Sequence, residues 1–233
     1  VAAMRGHFTG CAVLVREGSE LLHPWLQGWY GELVFEASWA PRLPHSPAEG
    51  ASNGAPKVLH LSLTEAFYLA YVVLDTPPRL SVESSCGPSS VPLSEPEAWL
   101  AFSAAQPRFA HNLAAFCALR QAGWYVRCGL KYGADFALYA ADDERSRKHA
   151  TYCALVHAPA LGDQPGSWLA VQQHTRVCGQ VSKGLLVCAV EAAGSEPSLA
   201  VDYSSSACLG RMDVRTLMLS PWWAAKEHGA LSL

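Results

Sequence analysis

The most regular pattern of apolar positions in this chain lies near its middle. Phe109, Leu113, Phe116 and Leu119 recur every three or four residues, which places them on one face of a helix. Gly123 follows them and suits the left-handed position that ends many helices. The pattern therefore predicts a helix that opens near Phe109 and stops at Gly123.

The segments after this helix alternate between apolar and polar residues, as half-buried strands do. We predict strands over residues 124–128, 136–140, 150–157 and 185–190, a helix from 167 to about 178, and strand-like segments at 199–208 and 214–219. Helices and strands that alternate in this way predict an α/β (α+β) fold with a mixed sheet.

The first third of the chain shows a similar but shorter pattern. Residues 11–16 and 31–37 alternate like strands, and a tight turn is predicted at 28–31. Ser62 or Thr64 is placed to cap a helix through residues 65–69, because a hydroxyl at that position accepts a hydrogen bond from the first turn. This part predicts a smaller α/β domain.

Two segments interrupt these elements. Residues 41–56 are rich in Pro, Gly, Ala and Ser and predict a flexible loop, and residues 81–96 have a similar composition and predict a linker. We place the domain boundary at the end of this linker. The prediction is an N-terminal domain over residues 1–96 and a second domain over 97–233.

Composition limits the class of protein further. The chain has 233 residues, of which 50% are hydrophobic, enough for one large or two modest cores. Only 16% are charged, below the usual quarter or so, which predicts apolar surface patches that bind a partner chain. A net charge of −3 argues against binding nucleic acid with the whole surface, so any RNA contact must be local.

Eight cysteines are spread singly along the chain, without a C-x-x-C pair. We interpret them as small core residues of a protein in a reducing compartment. The longest apolar run, residues 66–74, is far shorter than the roughly 20 residues of a membrane span. The sequence predicts a soluble intracellular protein with no membrane segment.

Three reactive side chains stand near the ends of predicted strands. Tyr139 ends the segment GLKYGADFALY at 129–139, His149 opens the next strand, and Lys183 precedes the strand at 185–190. RNA cleavage by its own 2′-hydroxyl needs a base for that hydroxyl, an acid for the leaving 5′-oxygen and a cation for the charge on the phosphate. A phenol, an imidazole and an ammonium can meet these needs without a metal.

Each residue alone also has an ordinary structural interpretation. A tyrosine at a strand end usually packs, a histidine after a charged loop usually lies on the surface, and a lysine before an apolar strand is usually solvated. Tyr139 leaves two roles open, because a phenol titrates near pH 10 in the absence of other charges. It acts as the base only beside a cation, and otherwise it would orient the 2′-hydroxyl.

The combination resembles the catalytic domain of the tRNA-splicing endonuclease family. The likeness rests on GLKYGADFALY, on the strand that begins near His149 and on the spacing from Arg176 to Lys183. LSLTEAFYLAYVVL at 61–74 and GWYGELVF at 28–35 resemble the family's N-terminal domain. VSKGLLVCAV and LMLSPWW in the last third bring the chain nearest to the eukaryotic catalytic subunit that cuts at the 5′ exon–intron junction.

The resemblance implies a restriction-endonuclease-like C-terminal catalytic domain. It implies cleavage of precursor tRNA to a 2′,3′-cyclic phosphate and a 5′-hydroxyl, with Tyr139 as base, His149 as acid and Lys183 as cation. No metal or other cofactor is expected. The expected partners are intron-containing precursor tRNA and other subunits of the endonuclease, as a hetero-oligomer in preference to a homo-oligomer, in the nucleus.

Further residues are expected to contact RNA. The resemblance maps Arg176 and Trp222 onto an arginine and an aromatic side chain that stack on either side of an unpaired intron base. Trp223 leaves open which indole serves. The basic residues beside His149 could hold phosphates, but acidic residues precede them, and a solvated mixed-charge loop is an equal alternative; they are Arg145, Arg147 and Lys148.

Two other functions stay open. A non-catalytic scaffold or RNA-binding subunit of the same assembly would have no need for all three reactive residues. A metal-dependent nuclease would need a cluster of carboxylates on a strand, which the sequence lacks. The chain departs from the family's pattern at Gly184, where a larger residue is common, and at Pro221.

Overall fold

The computed structural model describes residues 4–16, 30–35, 57–73, 80–84, 91–140, 149–161, 168–193 and 201–219. Within these ranges the chain forms two five-stranded sheets, and helices pack between them. The strands of the first sheet precede residue 96 and those of the second follow it. The α/β (α+β) fold class is confirmed.

The first sheet has the strand order β3-β4-β2-β1-β5. Its neighbours are antiparallel except β1 and β5, which are parallel. The strands are β1 (Met4–Phe8), β2 (Val13–Val15), β3 (Glu32–Phe35), β4 (Lys57–Leu61) and β5 (Leu80–Ser84). Helix α1 (Leu63–Phe67) follows β4 directly and continues into one π-helical turn, Tyr68–Val72.

The sequence pattern identifies β2 and β3 but not β1, β4 or β5. The predicted linker at 81–96 is wrong, because β5 occupies its start and a helix begins at Glu95. Leu80 and Val82 are buried in the core, and the buried carboxylate of Glu83 lies 3.9 Å from Arg5 Nε on β1. Pairing with a distant strand thus stabilises a segment whose composition is typical of a linker. The predicted loop at 41–56 lies outside the described residues.

The second sheet has the strand order β10-β9-β8-β7-β6. Only the β8–β9 pair is parallel. The strands are β6 (Tyr125–Cys128), β7 (Phe136–Tyr139), β8 (Tyr152–His157), β9 (Gly184–Ala192) and β10 (Met212–Leu219). The four strands predicted after the central helix and the one at 214–219 are confirmed.

The strand predicted at 199–208 is wrong for the residues that the structure describes. Residues 201–205 form turns, and Ser206–Arg211 forms a 3₁₀ helix. Asp202 Oδ1 accepts the Ser204 amide at 2.9 Å, and the Tyr203 carbonyl accepts the Trp99 indole N–H at 2.9 Å. Both bonds engage groups around this turn, and the second bond needs a partner that is remote in the sequence.

Three further helices lie in the second half. They are α2 (Glu95–Ala105), α3 (Phe109–Gln121) and α4 (Trp168–Gln180). The helix predicted from Phe109 is confirmed as α3, since its four apolar marker residues are at most 2% exposed and Gly123 has a φ of 88°. Helix α4 confirms the helix predicted from 167, whereas the sequence pattern does not identify α2.

One buried core joins the two sheets. Phe67 of α1 lies 5.4 Å from Trp99 of α2 and 5.5 Å from Phe109 of α3, measured between ring centroids in edge-to-face contacts. Such contacts contribute about 0.5–1.5 kcal/mol each beyond the area that they bury. The core therefore includes side chains from both sides of the predicted domain boundary, which itself stays a prediction.

The seven described cysteines are free thiols. The prediction that cysteines are core residues holds for Cys153, Cys178, Cys188 and Cys208, and burial raises the pKa of Cys188 to about 12. It is wrong for the exposed residues at positions 11 and 128, and position 117 is half-buried. Within the described ranges, no helix is long and apolar enough to cross a membrane.

The buried carboxylate of Glu65 connects α1 to the turn before β3. It accepts the Gly31 amide at 2.8 Å, the Ser62 amide at 3.0 Å and the Ser62 hydroxyl at 2.7 Å. Ser62, not Thr64, is therefore the helix cap, in a capping box with Glu65. Gly31 has a φ of 67°, and a Cβ there would lie 2.7 Å from the His60 carbonyl oxygen, so the turn requires glycine.

We expect Glu65→Ala to lower the free energy of unfolding by about 2 kcal/mol, because two amides and a hydroxyl lose their acceptor. Urea denaturation measures this loss. Glu97→Ala is the matched control, because Glu97 forms the same capping box with Ser94 at an exposed helix start. Equal losses in the two variants would show that the bond to Gly31 contributes nothing.

Candidate active site

Three strands of the second sheet bring the predicted catalytic residues to one end of that sheet. Strand β7 ends at Tyr139 and runs antiparallel to β8, so the end of β7 lies beside the start of β8. Strand β9 runs parallel to β8, with Gly184 opposite Tyr152, so it starts at the same place. His149 and Lys183 precede β8 and β9 by a few residues. All three residues therefore leave the sheet on the same side.

Backbone bonds at Thr151 hold these strand ends together. The Thr151 amide donates to the Leu138 carbonyl at 2.7 Å, and the Thr151 carbonyl accepts the Gly184 amide at 3.1 Å. Lys183 Nζ donates to the Ala150 carbonyl at 3.0 Å, one residue after His149. The ammonium and the backbone that carries the imidazole are thus in direct contact.

Tyr139 lies beside the same group of atoms. It packs in a buried cluster with Ala150, Tyr125 and Tyr132, and it is 6% exposed. Lys183 Nζ lies 5.2 Å from the centroid of the Tyr132 ring, within the range of a cation–π contact. The phenol, the ammonium and the backbone of the imidazole therefore surround one small region.

Tyr139 also lines a cavity of about 480 Å³ between the two sheets. His60 and Glu65 contribute from the first half, and Arg127 and Lys131 contribute from the second. A solvent-filled space of this size beside the phenol gives a substrate access to it. Within the described ranges, no three His, Cys, Asp or Glu side chains come close enough to hold a metal ion.

The comparison with known proteins identifies this region. Residues 109–203 match the family described as tRNA intron endonuclease, catalytic C-terminal domain. The chain belongs to the tRNA intron endonuclease family. All three predicted catalytic residues and Arg176 lie inside the matched segment.

Individual relatives agree with the family. The chain is 34% identical over 179 residues to tRNA-splicing endonuclease subunit Sen2 of Mus musculus, over 73% of this chain and 35% of that protein. It is 32% identical over 129 residues to subunit Sen2-1 of Arabidopsis thaliana, over 55% of this chain and 51% of that protein. The chain thus spans about half or less of the length of these relatives.

The end of α4 fixes where Lys183 enters the endonuclease site. The Lys183 amide donates to the Cys178 carbonyl at 2.9 Å, and the Ser182 amide donates to the Gly179 carbonyl at 3.1 Å. Ser182 has a φ of 54°, so these bonds form a Schellman motif with serine at the left-handed position. A non-glycine residue there costs about 1–2 kcal/mol. This cost is accepted at the residue that aims Lys183.

The departure from the family's pattern at Gly184 has a local explanation. The ring of Tyr152 covers Gly184 on the neighbouring strand, and a Cβ there would lie 2.6 Å from Tyr152 Cδ1. Tyr152 in turn packs edge-on against Trp124, with the ring centroids 5.4 Å apart. A larger residue after Lys183 would therefore displace the ring or the start of β9.

The other predicted site residues are less constrained. His149 is exposed, on the bend before β8, and Arg176 is exposed on α4. The structure brings neither imidazole nor guanidinium into a bond that fixes its position. The remaining predicted RNA contacts lie outside the described residues; they are Trp222, Arg145, Arg147 and Lys148.

The sequence interpretation missed two residues beside the phenol. Tyr132 packs as predicted, but its ring also faces Lys183. Lys131, which the pattern does not single out, lies 4.9 Å from the same ring, measured from Nζ to the centroid. The available signal was that a basic residue stands inside the segment that ends at Tyr139.

We expect Gly184→Ala to lower the free energy of unfolding by about 1–2 kcal/mol, because the new methyl group overlaps the Tyr152 ring. Thermal or urea unfolding measures it. Gly210→Ala is the matched control, since a Cβ at Gly210 meets nothing within 4 Å. In a Tyr152→Leu background the cost of Gly184→Ala should fall; an unchanged cost would contradict the overlap with the ring.

Proposed function

We propose that this chain is the catalytic subunit of a tRNA-splicing endonuclease and that it cuts precursor tRNA at the 5′ exon–intron junction. The observation that carries the proposal is the shared sheet end at which Tyr139, the backbone beside His149 and Lys183 come together. The relatives, which are named as tRNA-splicing endonuclease subunits, support the same substrate.

In the proposed reaction the Tyr139 phenolate takes the proton of the 2′-hydroxyl. The 2′-oxygen then attacks the phosphorus, and the bond from phosphorus to the 5′-oxygen breaks. His149 gives its proton to the departing 5′-oxygen, and Lys183 stabilises the added negative charge on the phosphate. The products are a 2′,3′-cyclic phosphate and a 5′-hydroxyl. The substrate supplies the nucleophile, so the mechanism needs no metal-bound water.

RNA binding in this proposal is local. The exposed guanidinium of Arg176 and the indole of Trp222 would hold an intron base between them, at about 1–3 kcal/mol for the stack. The basic residues near His149 would contact phosphates; they are Arg145, Arg147 and Lys148. The net charge of −3 is consistent with such a restricted contact.

His149→Ala should slow single-turnover cleavage of precursor tRNA at least about 10²-fold, because the leaving oxygen loses its acid, while the dissociation constant for RNA changes little. The assay uses the chain assembled with its partner subunits. His174→Ala, a change of a half-buried histidine on α4, is the control and should cut normally. An equal loss of rate and binding would make His149 a contact residue, and normal cleavage would indicate a scaffold subunit.

A precursor with one 2′-deoxy sugar on the 5′ side of the junction should bind and remain uncut, because the nucleophile is missing. Chelator should leave cleavage of the normal, previously folded precursor intact. Gel analysis of the product ends measures both results. Efficient cleavage of the deoxy precursor, or a 3′-hydroxyl on the upstream product, would contradict the roles of all three residues together and favour a two-metal nuclease.

We further propose that β10 pairs with another subunit of the endonuclease, in the nucleus. This strand lies at the edge of the sheet with β9 as its described neighbour, and Leu217 and Met218 are 61% and 58% exposed. An exposed apolar edge strand is unfavourable for an isolated chain and suits a partner strand. The expected assembly contains non-identical subunits.

Replacing Leu217 and Met218 by Glu should prevent the chain from co-purifying with partner subunits, as measured by light scattering. Leu100→Glu is the matched control, because Leu100 is 60% exposed on α2, away from this edge. A fully active, monodisperse monomer of the unchanged chain would contradict the assembly.

A further inference from the structure

The 3₁₀ turn Leu130–Tyr132 presents a second lysine to the region around Tyr139. Lys131 Nζ lies 4.9 Å from the Tyr132 ring centroid, and Lys183 Nζ lies 5.2 Å from it. Two ammonium groups from different elements therefore face one aromatic ring. Lys131 and Tyr139 also line the same cavity, so both are next to the space that a substrate can enter.

Lys131 interacts with the phenol itself. Partial burial lowers the pKa of Lys131, but hydrogen bonding with Tyr132 and Tyr139 and attraction to their phenols raise it above its ordinary value. The interaction is reciprocal, because an ammonium that is favoured by a phenolate also favours that phenolate. Lys183 differs, since its ammonium donates to the Ala150 carbonyl.

The turn that carries Lys131 is held on both sides. The Gly129 carbonyl accepts the Tyr132 amide at 2.8 Å, and the Gly133 amide donates to the Leu130 carbonyl at 3.0 Å. Gly133 has a φ of 66°, and a Cβ at Gly129 would lie 2.7 Å from the Ala134 carbonyl oxygen. Two glycines thus allow a tight turn whose lysine points to a defined place.

Other charged groups around Tyr139 are occupied or lie farther along the cavity. Arg127 donates to the Gly31 carbonyl at 2.7 Å, and the Glu65 carboxylate is held by the same turn. Arg120 lies 5.4 Å from the ring of Tyr125, the cross-strand neighbour of Tyr139. The further titratable groups near the phenol are Glu32, His60 and Cys128 on the cavity wall, His149 before β8, and Lys183 before β9.

We propose that Lys131 is a positioning residue, whose ammonium holds the Tyr139 hydroxyl at the cavity and favours the phenolate that accepts the 2′-hydroxyl proton. The inference rests on the proposed role of Tyr139 as base. It assigns different tasks to the two lysines: Lys131 supports the base, and Lys183 faces the phosphate. It also selects the base over mere orientation as the task of Tyr139, because a supported phenolate can take a proton.

The first test measures ionisation of the phenol without RNA. The ultraviolet absorbance of tyrosinate is followed against pH, and the curve of the Tyr139→Phe variant is subtracted to isolate Tyr139. Lys131→Met should move the midpoint up by about one pH unit, a tenfold change, because the phenolate loses its cation. Lys131→Arg, which keeps the charge, should restore it. Circular dichroism over the same range confirms that each variant stays folded.

The matched control is Arg5→Met, which removes one positive charge from a side chain that is 73% exposed on the first sheet. It should leave the Tyr139 midpoint in place. An unmoved midpoint in Lys131→Met, or the same shift in Arg5→Met, would overturn the inference.

The second test uses the assembled endonuclease and precursor tRNA. Lys131→Met should slow single-turnover cleavage at neutral pH about tenfold with an unchanged dissociation constant, and the two rates should converge at high pH, where the phenol is ionised in both proteins. A parallel loss at every pH would indicate a structural role and overturn the inference. If the unchanged chain does not cut, the proposed function fails, while the titration still tests the pairing of Lys131 with Tyr139.

Discussion

The backbone pairing of β8 with two neighbours of opposite direction is the constraint on which the site depends. An antiparallel neighbour ends, and a parallel neighbour begins, where β8 begins. The two bonds at Thr151 fix both relations at once. A slip of one residue in either pairing would turn the side chains of that strand to the opposite face of the sheet. The position of Tyr139 relative to Lys183 is therefore a property of strand register.

Local conformations of unfavourable energy refine this position. Serine at the left-handed end of α4 and a glycine beneath the Tyr152 ring both lie next to Lys183. Neither is the most stable choice for a helix end or a strand, and each is tolerated because the surrounding bonds leave no other arrangement. Strain of this kind is common where a side chain must be aimed, and it occurs here on both sides of the lysine.

The first sheet contributes to the site through the cavity that it shares with the second. Glu65 holds the turn at Gly31, and Arg127 of β6 donates to the carbonyl of that same glycine. One turn of the first half is thus bonded to a helix on one side and to the catalytic sheet on the other. The wall opposite Tyr139 is consequently as well fixed as the phenol, and a substrate would meet a preformed space.

The sequence by itself determined the features that depend on neighbouring residues: the apolar face of α3, the strands of the second sheet, the cap at Ser62 and the identity of the three reactive residues. Their signals are periodicity and spacing, which local chemistry sets. Only the tertiary structure decided that a linker-like segment becomes β5, that the tail before β10 turns, and that Lys131 meets Tyr139. Each of these depends on a partner distant in the chain or on the path of a turn, and periodicity carries no record of such contacts.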